Sequence, residues 1–385
     1  MRDLAHDLPE FPWDRLVPYA AKARAHEAGI VDLSVGTPVD PTPALIQAAL
    51  GAAGDASGYT QTYGTPDLRE AVAAWFARRR GVPDVDPAGV LPTIGSKELV
   101  GLLPTLLGLG AGDIVVHPEV AYPTYDIGAR IAGAEPVAAD GTAQLGPLAS
   151  RVRLVWVNSQ ANPTGRVLGV EHLAKVVRWA RQHGAIVASD ECYSELAWAP
   201  APGSGPTKAS DRGGSGPLVP SILDPGVGQG SHEGLLAVYS LSKQSNLAGY
   251  RAAFVAGDVG LVRRLLEVRK HAGLIMPWPV QRAMLAALKD DEHVALQRDR
   301  YAARRAVLRP ALEAAGFRVD HSQAGLYFWV TRDEDCWASV DWLAARGILV
   351  APGAFYGPAG ARHVRVALTA TDERIAAAAS RLSSG

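Results

Sequence analysis

IVASDECYSEL, Ile186 to Leu196, is an apolar run too short for a helix that stops at two adjacent carboxylates, Asp190 and Glu191. Its β-branched residues suit a pleated, buried surface, and an apolar run without alternation suits the inside of a parallel sheet. Ligands of open α/β sheets gather at the carboxyl ends of the strands, so the two acids mark a candidate site.

Similar runs flank it: DIVVH (113–117), RLVWVN (153–158), LLAVYS (235–240) and AAFVAG (252–257). Helical patterns separate them. In TPDLREAVAAWFARRR (65–80), Thr65 can cap, Pro66 suits the first helical position, and Leu68, Val72, Trp75 and Phe76 share one face. This alternation predicts an α/β fold with a mainly parallel sheet between helices from about residue 65 to 257. After about Met276 a long helical stretch is followed by FRVDH, GLYFWV, GILVAPG and HVRVAL, which predicts a smaller α+β lobe. Gly, Pro and Ser crowd the stretch 200–234, which predicts a long surface loop inserted in the first lobe.

Composition narrows the function. The 38 basic and 39 acidic side chains leave a formal net charge of -1, so no global field favours nucleic acid or an anionic membrane. Two cysteines, Cys192 and Cys336, lie far apart without CxxC spacing, which suggests neither a disulfide framework nor a metal site and fits a reducing cytoplasm. The opening MRDLAHDLPEFPWDRL lacks the apolar core of a signal peptide, and the longest apolar stretch, LVGLLPTLLGLGAG (99–112), is too short to span a bilayer. Secretion and membrane insertion are not expected.

In SLSKQSNLAGYR (240–251), Lys243 follows an apolar strand pattern. A lysine amine becomes a nucleophile when burial or nearby cations suppress its charge. Ser240 and Ser242 offer hydroxyls, and Arg251 offers a planar fork suited to phosphate. In TIGSKELVGLL (93–103), Gly95 and Ser96 precede a helical pattern whose free N–H groups favour an anion. At the end of its strand Asp190 can pair a protonated ring nitrogen, and Tyr193 can donate to a ring oxygen. Asn162, in the NPTG turn after another strand, has an amide suited to a phenolic oxygen. Singly, each has an ordinary reading as a cap, a turn former or a half-buried aromatic. Together they describe a phosphorylated cofactor beside an amine.

The succession GSKELV, AYPTY, NPTG, SDECY, SLSKQSNLAGYR and HVRVAL resembles the pyridoxal-phosphate aminotransferases of fold type I, class I/II, over nearly the whole chain. The resemblance implies a large cofactor-binding domain with a seven-stranded sheet over residues 36–275, a small domain over 276–385, and an N-terminal segment, 1–35, packed with the small domain. It makes Lys243 the amine that forms the Schiff base with pyridoxal 5'-phosphate and moves the Cα proton, and Asp190 the partner of the pyridinium nitrogen. Asn162 and Tyr193 match the positions that bind the ring's phenolic oxygen, and Tyr122 the aromatic stacked on the ring. Gly95, Ser96 and Lys97, with Ser240, Ser242 and Arg251, match the phosphate site. Arg365 matches the arginine that takes the substrate α-carboxylate, with Gly36 and Asn162 close by. Tyr59 resembles a tyrosine that crosses to the partner subunit's phosphate, which implies a homodimer with shared sites. The usual glycine two residues after the arginine is Ala253 here, a change that removes no chemical group.

FPWDRLVPY (11–19), TIGSKELV (93–100) and LIMPWPVQ (274–281) resemble actinobacterial N-succinyldiaminopimelate aminotransferases. That resemblance implies transfer between glutamate/2-oxoglutarate and N-succinyl-LL-2,6-diaminopimelate/N-succinyl-2-amino-6-oxopimelate, in the making of lysine and peptidoglycan precursors. Within the same cofactor family the alternatives are an aspartate, aromatic or LL-diaminopimelate aminotransferase, or a C–S lyase.

Overall fold

All residues of LLAVYS and AAFVAG are buried, as strands covered on both faces require. The computed structural model describes Leu4, residues 8–198 and residues 219–383. The strands in chain order begin with β1 (Val31–Asp32), β2 (Val90–Ile94), β3 (Ile114–His117), β4 (Glu135–Ala138), β5 (Val152–Val157) and β6 (Ile186–Asp190). β7 (Leu235–Ser240), β8 (Ala252–Gly257), β9 (Arg318–Asp320) and β10 (Tyr327–Thr331) follow, then β11 (Ile348–Leu349), β12 (Ala351–Pro352) and β13 (Val364–Ala367).

Seven of these form one sheet in the order β2-β8-β7-β6-β5-β3-β4, in which β8 alone runs against its neighbours. This is the fold type I arrangement of a mainly parallel sheet flanked by helices. The apolar pattern revealed five of the seven strands. The other two, β2 and β4, are the sheet's edges, and they contain Pro92 and Pro136. Proline weakens a strand signal and is tolerated at an edge, where one row of N–H groups has no partner.

A second, antiparallel sheet runs β12-β13-β10-β9, and β1 pairs in parallel with β11. Leu16, Ala20, Val31 and Leu33 join the apolar cluster of this sheet with Phe328 and Val366. The helix Trp278–Lys289 gives Ala283, Met284 and Leu288 to the cluster on the seven-stranded sheet, although the change of pattern at 276 groups it with the smaller lobe. Among the described residues no helix is long and apolar enough to cross a membrane.

Of the loop expected at 200–234, residues 200–218 lie outside the described residues. The remainder departs from a surface loop: Val219, Ser221, Ile222, Leu223 and Val227 are buried, and 225–228 form a helical turn. Glu191 is the cause. Its carboxylate accepts from Ser221 Oγ at 3.0 Å and from Ile222 N at 2.7 Å, which draws this chain into the core beside β6. On the other side of the interruption, Ala197 bridges Ala324, and Trp198 donates from N to Gln323 O and from Nε1 to Gly325 O, both at 3.0 Å.

Candidate active site

β6 ends at Asp190, which is 7% exposed. Tyr125 Oη donates to its Oδ2 at 2.9 Å and Cys192 N to its Oδ1 at 3.2 Å, while Asn158 Nδ2 holds its carbonyl at 2.8 Å. Burial pushes the Asp190 carboxyl above the usual carboxylate range, and the neutral donors offset only part of that. Among the described residues no cation pairs with it. Its neighbour Glu191 points the other way, to Arg80 at 3.5 Å, with both side chains almost fully buried.

Tyr125 sits on the helix Thr124–Ala132, stacked on Trp156 at 5.0 Å and edge-on to Tyr122 at 5.9 Å. Burial raises the Tyr122 hydroxyl to about 12, so the ring stays neutral at ordinary pH. Tyr193 Oη lies 3.0 Å from Tyr327 Oη. Tyr327 also fills the space above Gly36, where an added Cβ would stand 1.9 Å from the Tyr327 hydroxyl.

Lys243 stands in the short helical turn Leu241–Gln244 that follows β7. Ser240 caps this turn, accepting from Ser242 N at 3.2 Å and donating to Ser242 Oγ at 2.8 Å. The Lys243 ammonium donates to Gly36 O. Burial holds its pKa below the ordinary lysine value, and the Arg365 and Arg251 cations push the same way. This is the condition a nucleophilic amine needs.

The helix Ser96–Leu106 starts at Gly95, whose φ of 77° is left-handed and which supplies no side-chain cap, so first-turn N–H groups stay free. A Cβ at Gly95 would stand 2.1 Å from Arg251 Nη2. Glycine therefore keeps backbone N–H groups and a guanidinium side by side, an arrangement suited to phosphate. Ser96 is half-buried and Lys97 is exposed, so Lys97 offers its backbone to this cradle more readily than its ammonium.

Arg365 on β13 is 3% exposed. It donates from Nη1 to Asn162 Oδ1 at 2.9 Å and from Nη2 to Ser34 O at 2.6 Å, and it lies over the Tyr327 ring at 4.1 Å. Among the described residues its Nε has no hydrogen-bond partner and its guanidinium no carboxylate. Asn162 is fixed from behind, its N donating to Asn158 Oδ1 at 2.8 Å. Contacts thus join Lys243 to Gly36, Arg365 to Asn162 and Gly95 to Arg251. Tyr59 stands apart with a fully exposed side chain. Sequence reasoning missed Tyr125, Tyr327 and Asn158. Signals existed: Tyr125 lies one helical turn after Tyr122, and Tyr327 precedes by two, on the same strand face, the residue that pairs with Arg365. No group of three or more His, Cys, Asp or Glu able to hold a metal ion occurs among the described residues.

The family model described as aminotransferase class I and II matches residues 28–382. The chain is 60% identical over 375 residues to the Mycobacterium tuberculosis protein named "Probable aminotransferase Rv1178", across 97% of this chain and 85% of that one. It is 57% identical over 376 residues to the 4-dedimethylamino-4-oxo-anhydrotetracycline transaminase OxyQ of Streptomyces rimosus, across 98% of this chain and 99% of that one. Among solved structures, a "probable N-succinyldiaminopimelate aminotransferase" from Thermus thermophilus matches with a TM-score of 0.84 at 28% identity, across 97% and 99% of the two chains. Aminotransferases of this class use pyridoxal 5'-phosphate. The residues fit that group: a buried carboxylate with no cation among the described residues, a buried amine with a lowered pKa, and a glycine cradle that a Cβ would fill. By sequence, sheet order and site chemistry, this chain belongs to the class I and II aminotransferases, pyridoxal-phosphate enzymes of fold type I.

Proposed function

We propose that this aminotransferase exchanges an amino group between glutamate/2-oxoglutarate and N-succinyl-LL-2,6-diaminopimelate/N-succinyl-2-amino-6-oxopimelate, in the cytoplasm, on the way to lysine and peptidoglycan precursors. The observation that carries the chemistry is Lys243, an amine kept below its ordinary pKa by burial. Two further buried charges of opposite sign, Asp190 and Arg365, have no counterion among the described residues. The substrate reading rests on the resemblance of three segments and on the likeness to the Thermus thermophilus structure of that name.

When bound, pyridoxal phosphate supplies an aldehyde that takes up the amino group and an electron-withdrawing ring that lowers the cost of charge at Cα. Lys243 holds the cofactor covalently and carries the proton removed from Cα. Asp190 pairs the ring nitrogen and keeps it protonated, and Asn162 and Tyr193 donate to the ring hydroxyl oxygen. Tyr122 packs on the ring face. The phosphate is held at Gly95, whose own N–H donates to Thr93 O, by the backbone N–H groups of Ser96 and Lys97, by Ser240 and Ser242, and by Arg251. Arg365 binds the substrate α-carboxylate through both arms of its fork, beside Gly36 and Asn162. Tyr59, fully exposed in one chain, reaches the phosphate of a second copy, so the working unit is a homodimer. Its two active sites are shared, each drawn from residues 36–275 and 276–385 with the 1–35 segment against the smaller part.

A second reading keeps the reaction and changes the acceptor. The relative 57% identical over 98% of this chain is named for a 4-oxo-anhydrotetracycline, so a polycyclic ketone is the acceptor to compare directly. The test is two half-reactions followed in the cofactor's visible absorption. Glutamate is expected to convert the protein to its amino form, and N-succinyl-2-amino-6-oxopimelate to convert it back. Recovery with the polycyclic ketone alone selects the second reading, and recovery with neither rejects both acceptors. Lys243→Ala is expected to lower turnover about 10⁴-fold or more; unchanged rates would remove Lys243 from the chemistry.

A further inference from the structure

A cavity of ≈ 360 Å³ lies between the seven-stranded and the four-stranded sheets, and neither Lys243, Asp190, Tyr193 nor Arg365 lines it. Its apolar floor comes from β3 and β5, through Val116, Val155 and Val157, and from Leu168 and Val176. Arg166, His172, His321 and His363 stand around it, with the Trp329 ring stacked on His363 at 4.9 Å and 3°. The volume matches that of a pocket for a small organic molecule.

The charges are unequally matched. Of the two aspartates that line the cavity, Asp140 accepts from Glu119 N at 2.9 Å, and Asp320 binds Arg318 and His363, each at 2.9 Å. The Arg166 guanidinium makes no hydrogen bond or ion pair among the described residues. Burial, with Arg166 beside them, holds His172 and His321 below the ordinary imidazole value, so both are neutral hydrogen-bonding groups near pH 7. The result is an apolar floor with a polar rim, and a solvent-exposed planar cation without a partner among the described residues at its edge.

We infer that this cavity is a second ligand site that takes a small aromatic carboxylate, its ring on the valine floor and its carboxylate on Arg166. The site has a bearing on the reaction because it touches both carriers of the substrate-binding pair. Thr164 and Arg166 belong to the segment that presents Asn162, Trp329 on β10 pairs with Arg365, and His363 directly precedes β13. A ligand here bridges the two elements whose spacing sets the Asn162 to Arg365 hydrogen bond.

The probe is 2-naphthoate, titrated calorimetrically into the cofactor-loaded protein. Binding to the unsubstituted chain is expected, weakened at least tenfold in Arg166→Gln and partly restored in Arg166→Lys. Thr142→Trp, which fills the cavity from a half-buried position, is expected to abolish it. Arg365→Lys is expected to leave binding in place, with a smaller loss than in Arg166→Gln. Absence of binding, or equal affinity in Arg166→Gln, overturns the assignment. A loss in Arg365→Lys alone does so too, because the probe then sits in the amino-acid site.

Discussion

Asp190 and Glu191 are neighbours in sequence, leave the same strand and are both buried, yet they are treated in opposite ways. Glu191 has Arg80 at 3.5 Å and two further donors from the chain it anchors, while Asp190 has only neutral donors among the described residues. The same division runs through the molecule. Arg269 is matched by Glu98 at 2.7 Å, Arg304 by Asp40 at 2.6 Å and Glu195 by Arg79 at 2.5 Å, whereas Arg365, like Asp190, has only neutral partners there. A buried charge without a counterion is costly, so a fold keeps one where its partner arrives from outside. The structural charges are those that already have company.

Substituting each charge separates the two classes. The largest effect is expected from Asp190→Asn, a fall in kcat of about 10³-fold with the fold retained; a normal kcat would break the distinction at its centre. Arg365→Lys is expected to raise KM for the amino acid about 10- to 100-fold with less change in kcat, since a point charge replaces a two-armed donor. Equal loss in kcat and unchanged KM would assign Arg365 to the chemical step instead. Glu191→Gln is expected to act on stability, removing about 3 kcal/mol in urea unfolding because Arg80 is left buried and unpaired. Were it to lower kcat at unchanged stability, Glu191 would belong with Asp190.

Two smaller effects sharpen the picture of Asp190. Tyr125→Phe removes one of its donors and is expected to lower kcat about three- to tenfold, with a shift in the pH at which the cofactor's visible band changes. A rate equal to the unsubstituted protein would leave Tyr125 a packing residue only. The last effect concerns stability against pH in cofactor-free protein. Burial lifts the Asp190 pKa above its unfolded value, so in the window between the two the folded chain keeps a proton that the unfolded chain has lost. Stability then falls as pH rises through that window, by at most about 1.4 kcal/mol per unit. Asp190→Asn is expected to lack this fall, and parallel curves for the two proteins would mean that Asp190 titrates normally.

Much of this arrangement could be read from the sequence, for physical reasons that also mark where reading stops. The interior strands were legible because burial on both faces demands continuous apolar residues. β2 and β4 were not, because edge strands escape that demand and both contain proline. Asp190, Asn162, Lys243 and Arg365 stood out as chemically distinctive residues at element ends. Tyr125 and Tyr327 did not, since a tyrosine in an apolar context looks like core until the fold shows what its hydroxyl meets. The direction of Glu191 was equally hidden. Its partners, Arg80, Ser221 and Ile222, are 111, 30 and 31 residues away along the chain.

The pins on either side of the interruption have a practical meaning for engineering. Trp198 is tied to the strand edge near Ala324, and Ser221 with Ile222 is clamped by Glu191 only a few residues upstream of that tie. Both described ends are therefore held by contacts with the fold. Trp198, Ser221 and Ile222 are accordingly the anchors that an engineered variant has to keep if the two sheets are to stay as they are.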